Sequence, residues 1–243
     1  GSFTEASAYL LNKLSKANRA KILKAYFSKE GAAYSLTRTH INSCDFSLGH
    51  YAYDTVAGDT RLEHFTINED IDDIIPMIKE AKAISEDGFK IIASPWTAPP
   101  WMKNNNDWRG GKLLPQYRET WALYFSKYIK AYQKEGIDIW GVTVENEPLG
   151  NDSNWESMHY TPEEMTAFVR DHLGPKLEAD QPVAYHGKLV VRQPPDVAPA
   201  ELIHAPRRPV QAAEDVHQRR LARARRADDR QQLAPPDAQV DVA

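Results

Sequence analysis

Only one cysteine, Cys44, occurs in the 243 residues. A lone thiol excludes an internal disulfide framework and a cysteine-based zinc site. It leaves the compartment open, because many exported proteins also lack disulfides. No apolar run approaches the roughly 20 residues that span a bilayer, so no integral membrane segment is expected. A leader is absent too, yet the chain starts at Gly1 without a methionine, close to a helical pattern. That start reads as a cut end, so the missing leader says little about localisation. Charge of one sign is also lacking. Lys and Arg total 30 against 34 Asp and Glu, for a net charge of −4. Bulk charge therefore points to neither nucleic acid nor an anionic membrane as partner.

The strongest absences are regional. From Val191 to Ala243 there is no aromatic residue and no Gly, Ser, Thr or Lys. All six Trp lie before residue 156, and ten of the eleven Tyr before residue 161. A segment poor in large apolar side chains cannot bury enough surface to offset the entropy of ordering. We read residues 1–181 as the globular part and 182–243 as a disordered, Ala/Arg/Pro-rich tail. A natural basic tail is one account of it. A reading frame shifted near Pro182 is the sharper one, because a GC-rich gene read out of frame gives this composition. Permissible codons let Val191-Arg192-Gln193-Pro194 read Tyr-Asp-Asn-Arg in the next frame. In the same way Asp215 to Arg220 reads Thr-Tyr-Ile-Asn-Gly-Val.

Upstream, helical and strand periodicities alternate. Thr4 to Phe27 predicts a helix with Leu10, Leu11 and Leu14, then Ile22, Leu23 and Tyr26, as apolar stripes. Ala33 to Ile41 predicts a strand. Asn68 can cap a helix carrying Ile71, Ile74, Ile75 and Ile78, although Pro76 favours a start nearer Asp73. Gly88 is expected to end it. Phe89 to Ser94 predicts the next strand. Trp121, Tyr124, Phe125, Tyr128, Ile129 and Tyr132 share one helical face, closed by Gly136. Ile137 to Val144 is an apolar, β-branched run that reads as a buried strand, stopped by Pro148. Thr161-Pro162-Glu163-Glu164 has a capping-box pattern that opens another helix. This β-α order argues for a parallel sheet with crossover helices. An open doubly wound sheet and a (β/α)8 barrel both fit. No glycine-rich phosphate loop follows any strand, which weakens the nucleotide-binding option. About four β/α units fit before the tail, roughly half a barrel.

The predicted strand ends share a chemistry. Arg38 lies within the first strand, which leads into Asn42-Ser43-Cys44-Asp45-Phe46-Ser47. The second leads into Ser94-Pro95-Trp96-Thr97-Ala98-Pro99-Pro100-Trp101-Met102-Lys103. The third ends in Glu145-Asn146-Glu147-Pro148. On a barrel all three meet at one face, where such folds place their chemistry. Aromatic planes with carboxylates and amides suit a sugar, whose C–H faces stack on Trp and whose hydroxyls need donors and acceptors. A metal site is disfavoured, since no His accompanies the carboxylates at ligand spacing. Blander roles stand beside these. Trp96 and Trp101 suit core or loop anchors, Asp45 a turn cap, and Arg38 an ion-pair partner. Glu145 is expected on a solvated rim, and His40 and His50 are expected to pack or hydrogen-bond. Asn151-Asp152-Ser153 is a glycosylation-type triplet.

Four motifs, in matching order from Gly1 to about Gln181, carry a family resemblance. They are Gly1 to Ser7, Ser43 to Ser47, Ser94 to Lys103 and Val144 to Pro148. The chain resembles glycoside hydrolase family 30, and within it the glucosylceramidase group. The resemblance implies the N-terminal half of a (β/α)8 TIM barrel, with hydrolysis of β-glycosides by retention. It implies that Glu147 is the general acid/base and that Asn146 contacts the substrate 2-hydroxyl. Asp45 and Trp96 match residues that hold the sugar before the scissile bond, and Arg38 an arginine supporting the nucleophile. The substrate implied is a β-glucoside or glycosphingolipid. Secreted, periplasmic or, in animal relatives, lysosomal settings are implied. No metal or organic cofactor is implied, because proton transfer and a carboxylate nucleophile suffice.

A retaining glycosidase needs two carboxyls roughly 5 to 5.5 Å apart. The family's nucleophile is a glutamate on a later strand, and nothing in this sequence matches it. Glu201 and Glu214 are the only glutamates in the tail. The polypeptide is therefore expected to lack the other half of the barrel and to be inactive. Family alternatives are an endo-β-1,6-glucanase or a xylan-cleaving member. Other classes are a non-catalytic carbohydrate-binding protein, or a non-functional fragment that aggregates through exposed sheet edges. The DNA tests the frame: beyond codon 182, one alternative frame should stay open and encode aromatics and glycines. Stops in both alternative frames would exclude the shift.

Overall fold

The computed structural model describes residues 1–149 and 154–180. The tail from 182, with the reading-frame argument attached to it, and the Asn151-Asp152-Ser153 triplet lie outside the described residues.

Two helices occupy the stretch where the apolar pattern predicts one. α1 spans Glu5–Asn12 and α2 spans Lys16–Phe27. The break has a local cause. Ser15 leaves helical geometry and its hydroxyl accepts from Asn18 N–H at 3.3 Å, which caps α2. Only Leu23 and Phe27 of α2 are buried, whereas Leu10, Leu14 and Tyr26 of the expected stripes face solvent. Phe27 stacks on Phe3 at 5.4 Å and tilts against Phe89 at 5.1 Å, which fastens this layer to the sheet.

β1 is Leu36–Ile41, β2 is Lys90–Pro95 and β3 is Gly141–Val142. They form one parallel sheet in the order β1-β2-β3. β1 starts three residues later than its sequence pattern, because Ala33 takes a left-handed φ of 47°. β3 is shorter than the apolar run from Ile137. The pairing nevertheless continues beyond it in single bonds: Trp140 N–H to Ile91 O at 2.8 Å, Thr143 N–H to Ala93 O at 3.0 Å and Asn146 N–H to Pro95 O at 2.7 Å. His40 pairs with Ser94 and Ile41 with Pro95, so the carboxyl ends of β1 and β2 are level.

α3 spans Ile74–Ile84 and starts at the Asp73 cap that Pro76 favoured. Asn68–Asp70 forms a separate 3-10 turn. The helix ends at Ile84, where Ser85 turns extended, rather than running to Gly88. Short 3-10 turns at Pro100–Met102 and Pro115–Tyr117 lead into α4, Arg118–Lys134. All six side chains of its predicted apolar face are buried. α5, Pro162–Phe168, carries the predicted capping box between Thr161 and Glu164. A π-helical turn over Val169–Leu173 joins it to α6, Gly174–Asp180.

Helix and loop are locked together around Asp70, which is fully buried. Its carboxylate accepts from Tyr51 Oη at 3.0 Å, Tyr53 Oη at 2.6 Å and Tyr132 Oη at 2.6 Å. Burial pushes its pKa up to about 6, against the lowering effect of the three hydroxyls. An acid whose folded pKa is raised adds stability below its unfolded value and loses it as pH climbs to the folded one. Denaturant unfolding should therefore show Asp70's contribution falling between about pH 4 and pH 6. Asp70→Asn should flatten that slope while costing roughly 1–3 kcal/mol from disturbed buried hydrogen bonds. An unchanged slope in the variant would contradict the assignment.

Candidate active site

The carboxyl end of the sheet gathers the polar residues that the sequence placed at strand ends. After β1, Asn42 adopts a left-handed φ of 63° and turns the chain. Its side chain accepts from the Tyr124 hydroxyl and from Tyr53 N–H at 3.3 Å, and donates to Thr97 O at 3.2 Å. Ser47 Oγ accepts from Cys44 N–H at 3.0 Å and closes the tight turn that presents Asp45 to solvent. Cys44 is buried, and burial raises its thiol pKa to about 12, so it is no nucleophile.

Arg38 is the hub. Its Nε donates to Ser94 Oγ at 2.9 Å and its Nη2 to Asn146 Oδ1 at 2.7 Å. Thr143 Oγ1 donates to the same Ser94 oxygen at 2.8 Å. The guanidinium lies over the Trp96 ring, 4.5 Å from its centroid. Burial lowers its pKa, opposed in part by the neighbouring carboxylates of Asp45 and Glu147. Asp45 is raised by burial, while the Trp96 indole N–H holds it down. Arg38, Asp45, Trp96, Asn146 and Glu147 thus form one cluster. In place of the expected ion pair, the Arg38 guanidinium donates charge-assisted hydrogen bonds to two neutral side chains, Ser94 and Asn146.

Glu147 is exposed and takes a left-handed φ of 48°. That backbone costs a non-glycine residue about 1–3 kcal/mol and recurs where function constrains the chain. Here it turns Glu147 off the strand line directly after Asn146, which is fixed by Arg38.

Glu145 contradicts the solvated-rim expectation. It is 7% exposed, and neither carboxylate oxygen has a hydrogen-bond partner. Burial drives its pKa well above the carboxylate range, with only Lys103 opposing. Tyr160, raised chiefly by its own burial, lies close enough to Glu145 to be raised further by it. A signal for this was present: both faces of a parallel strand are covered, so a residue directly after Val144 is still inside.

The other bland readings sort cleanly. Trp101 donates Nε1–H to Asp54 O at 3.1 Å and meets Tyr117 edge-on at 5.1 Å, which makes it a loop anchor. His40 is buried, accepts from Glu5 N–H at 3.3 Å and contacts Asn42 O at 2.6 Å, and burial lowers its pKa. His50 both packs and hydrogen-bonds, as expected. It donates Nδ1–H to Glu156 Oε1 at 2.7 Å and stacks on Trp108 at 5.3 Å. Among the described residues, no group of three His, Cys, Asp or Glu is arranged to hold a metal ion. No helix among them is long and apolar enough to cross a membrane.

A family model described as the glycosyl hydrolase family 30 TIM-barrel domain matches residues 1–191. A putative glucosylceramidase 3 of Caenorhabditis elegans is 39% identical over 188 residues, which are 74% of this chain and 36% of that protein. The crystal structure of SrfJ from Salmonella typhimurium is 38% identical with a TM-score of 0.69, covering 73% of this chain and 40% of that one. An endo-β1,6-glucanase structure gives 38% identity and a TM-score of 0.69, covering 74% and 40%. The chain therefore spans between about a third and two fifths of the length of these proteins.

Proposed function

The chain belongs to glycosyl hydrolase family 30, and from that premise we propose that it carries the acid/base half of a retaining β-glucosidase site, of the glucosylceramidase type. The observation that carries this reading is the Arg38–Ser94–Asn146 network, which joins all three strand ends beside a left-handed, solvent-facing Glu147.

In the first step a carboxylate attacks the anomeric carbon of the bound sugar. The bond to the leaving oxygen breaks, and Glu147 gives that oxygen its proton. In the second step Glu147, now a carboxylate, takes a proton from water as the water oxygen attacks the glycosyl ester and frees the nucleophile. Asn146 holds the 2-hydroxyl, with its amide orientation fixed because Oδ1 is occupied by Arg38. Trp96 and Asp45 hold the ring. A guanidinium has five N–H donors, and Arg38 commits two to Ser94 and Asn146, which leaves others to orient the nucleophile.

The nucleophile belongs to a later strand that the described residues do not include, and Glu201 and Glu214 of the tail lie outside them as well. The 243-residue chain alone is thus proposed to bind β-glucosides without turning them over. An endo-β-1,6-glucanase is the second reading, favoured by the 38% identity to a protein of that description.

The acid/base role is tested by grafting residues 1–181 into a complete family member in place of the matching segment. Glu147→Gln should lower kcat/KM for an alkyl glucoside by about 10²–10⁴. It should lower kcat/KM far less for a dinitrophenyl glucoside, whose leaving group departs without a proton. Equal losses on both substrates would refute the assignment.

A further inference from the structure

The third strand end carries one extra residue. Thr143 N–H donates to Ala93 O and Asn146 N–H to Pro95 O, so three steps along this segment pass two steps of β2. Such an insertion is a bulge, and bulges recur beside active sites, where they re-aim a side chain. This one falls at Val144 and Glu145, directly before Asn146 and Glu147. The left-handed Glu147 is then held through its neighbours. Asn146 is fixed by Pro95 O and by Arg38, and Pro148 O accepts from Tyr160 N–H at 3.0 Å.

Glu145 brings a buried polar group into that bulge. Both of its carboxyl oxygens, the Tyr160 hydroxyl and the Trp121 indole N–H are buried without a hydrogen-bond partner among the described residues. Tyr160 lies near both the Glu145 carboxyl and the Trp121 N–H. Their chemistry matches in that order. An indole N–H only donates, a phenol accepts and donates, and a carboxyl accepts. A chain from Trp121 through Tyr160 to Glu145 satisfies all three groups and ties the bulge to α4, which carries Trp121. Lys103 steadies the same place, since its Nζ donates to Asp107 O at 2.7 Å and Ser157 O at 2.9 Å, on the stretch leading to Tyr160. An apolar side chain at 145 would fill this space with nothing left unpaired, so packing alone does not account for an acid here.

We propose that Glu145 is a positioning residue for Glu147, which it serves by joining the bulge through Tyr160 to Trp121 of α4. Arg38 holds Asn146 to the sheet, and Glu145 holds the same strand end to the helical layer. Burial raises the Glu145 pKa well above the usual carboxylate range, so the group acts as a neutral acid. A glutamine, also neutral and with the same carbonyl acceptor, can therefore take its place. The proposal rests on the acid/base reading of Glu147 above and deepens it.

Amide hydrogen exchange of the 243-residue chain, read by NMR, tests the hold itself. Glu145→Ala should speed exchange at the Asn146 and Tyr160 amides about tenfold, the worth of one hydrogen bond. The Trp140 amide, bonded to Ile91 O farther back on the strand, should stay within about twofold. Glu145→Gln should return both fast amides to their original rates. Equal acceleration at all three amides would mark a merely structural residue, and no acceleration an idle one; either overturns the proposal. In the grafted enzyme, Glu145→Ala should lower kcat/KM about tenfold for the alkyl glucoside and less than about threefold for the dinitrophenyl glucoside, with Gln restoring both. Equal losses on the two substrates, while Glu147→Gln remains selective, overturn the positioning role alone. If Glu147→Gln is itself unselective, the acid/base reading falls and takes this one with it. Tyr160→Phe removes one oxygen from an intact ring, and it should show the same pattern where Glu145→Ala fails to fold.

Discussion

The Arg38 guanidinium ties together the carboxyl ends of three strands that are far apart in sequence. Nothing in an isolated β-α unit fixes where one strand end stands relative to the next. Backbone pairing sets the register, and Arg38 secures it at the edge where pairing runs out. Its own backbone is held on both sides: Phe3 N–H donates to Arg38 O at 2.7 Å, and β2 pairs along the other edge. Its side chain then reaches Ser94 on β2 and Asn146 beyond β3. Hydrogen bonds to a charged group contribute roughly 1.5–3 kcal/mol each, more than a neutral pair. Each such contribution is of the same size as the cost of the left-handed Glu147 backbone, which follows directly on Asn146.

Behind the sheet a second polar hub does the corresponding work in the helical layer. Asp70 gathers Tyr51, Tyr53 and Tyr132 from the loop after β1 and from α4. Tyr53 also stacks on Tyr124 and Tyr128, at 6.0 and 5.8 Å. The loop carrying Asp45 is thus anchored to α4 by aromatic packing and to the loop after β2 by Asn42. A site that must hold a ring to within a fraction of an ångström needs such support from residues that never touch it.

Different parts of this were legible in the sequence to different degrees. The face of α4 was readable because six large side chains repeat at helical spacing with nothing competing. The capping box of α5 was readable because its signal is confined to four residues. The break between α1 and α2 was obscured by continuous apolar spacing on either side, although Ser15 stood there as a capable cap. β3 was overread because apolar content reports burial, whereas strand geometry depends on a partner backbone. The five clustered residues were legible because four follow a predicted strand and Arg38 lies within the first. Asp70 and the His50–Glu156 pair were not, since their partners lie tens of residues away and carry no local pattern. Glu145 was misplaced by treating a carboxylate at a strand end as solvated, when the covered face of a parallel strand extends past Val144.

The central claim is that Arg38 and Asn146 act as one unit that fixes the third strand end. A double-mutant cycle measured by denaturant unfolding tests it most directly, with Arg38→Leu, Asn146→Ala and the two combined. The account predicts a coupling energy of about 1.5–3 kcal/mol between the two sites. Additive losses, with coupling near zero, would mean that the guanidinium and the strand end are merely neighbours, and would contradict it.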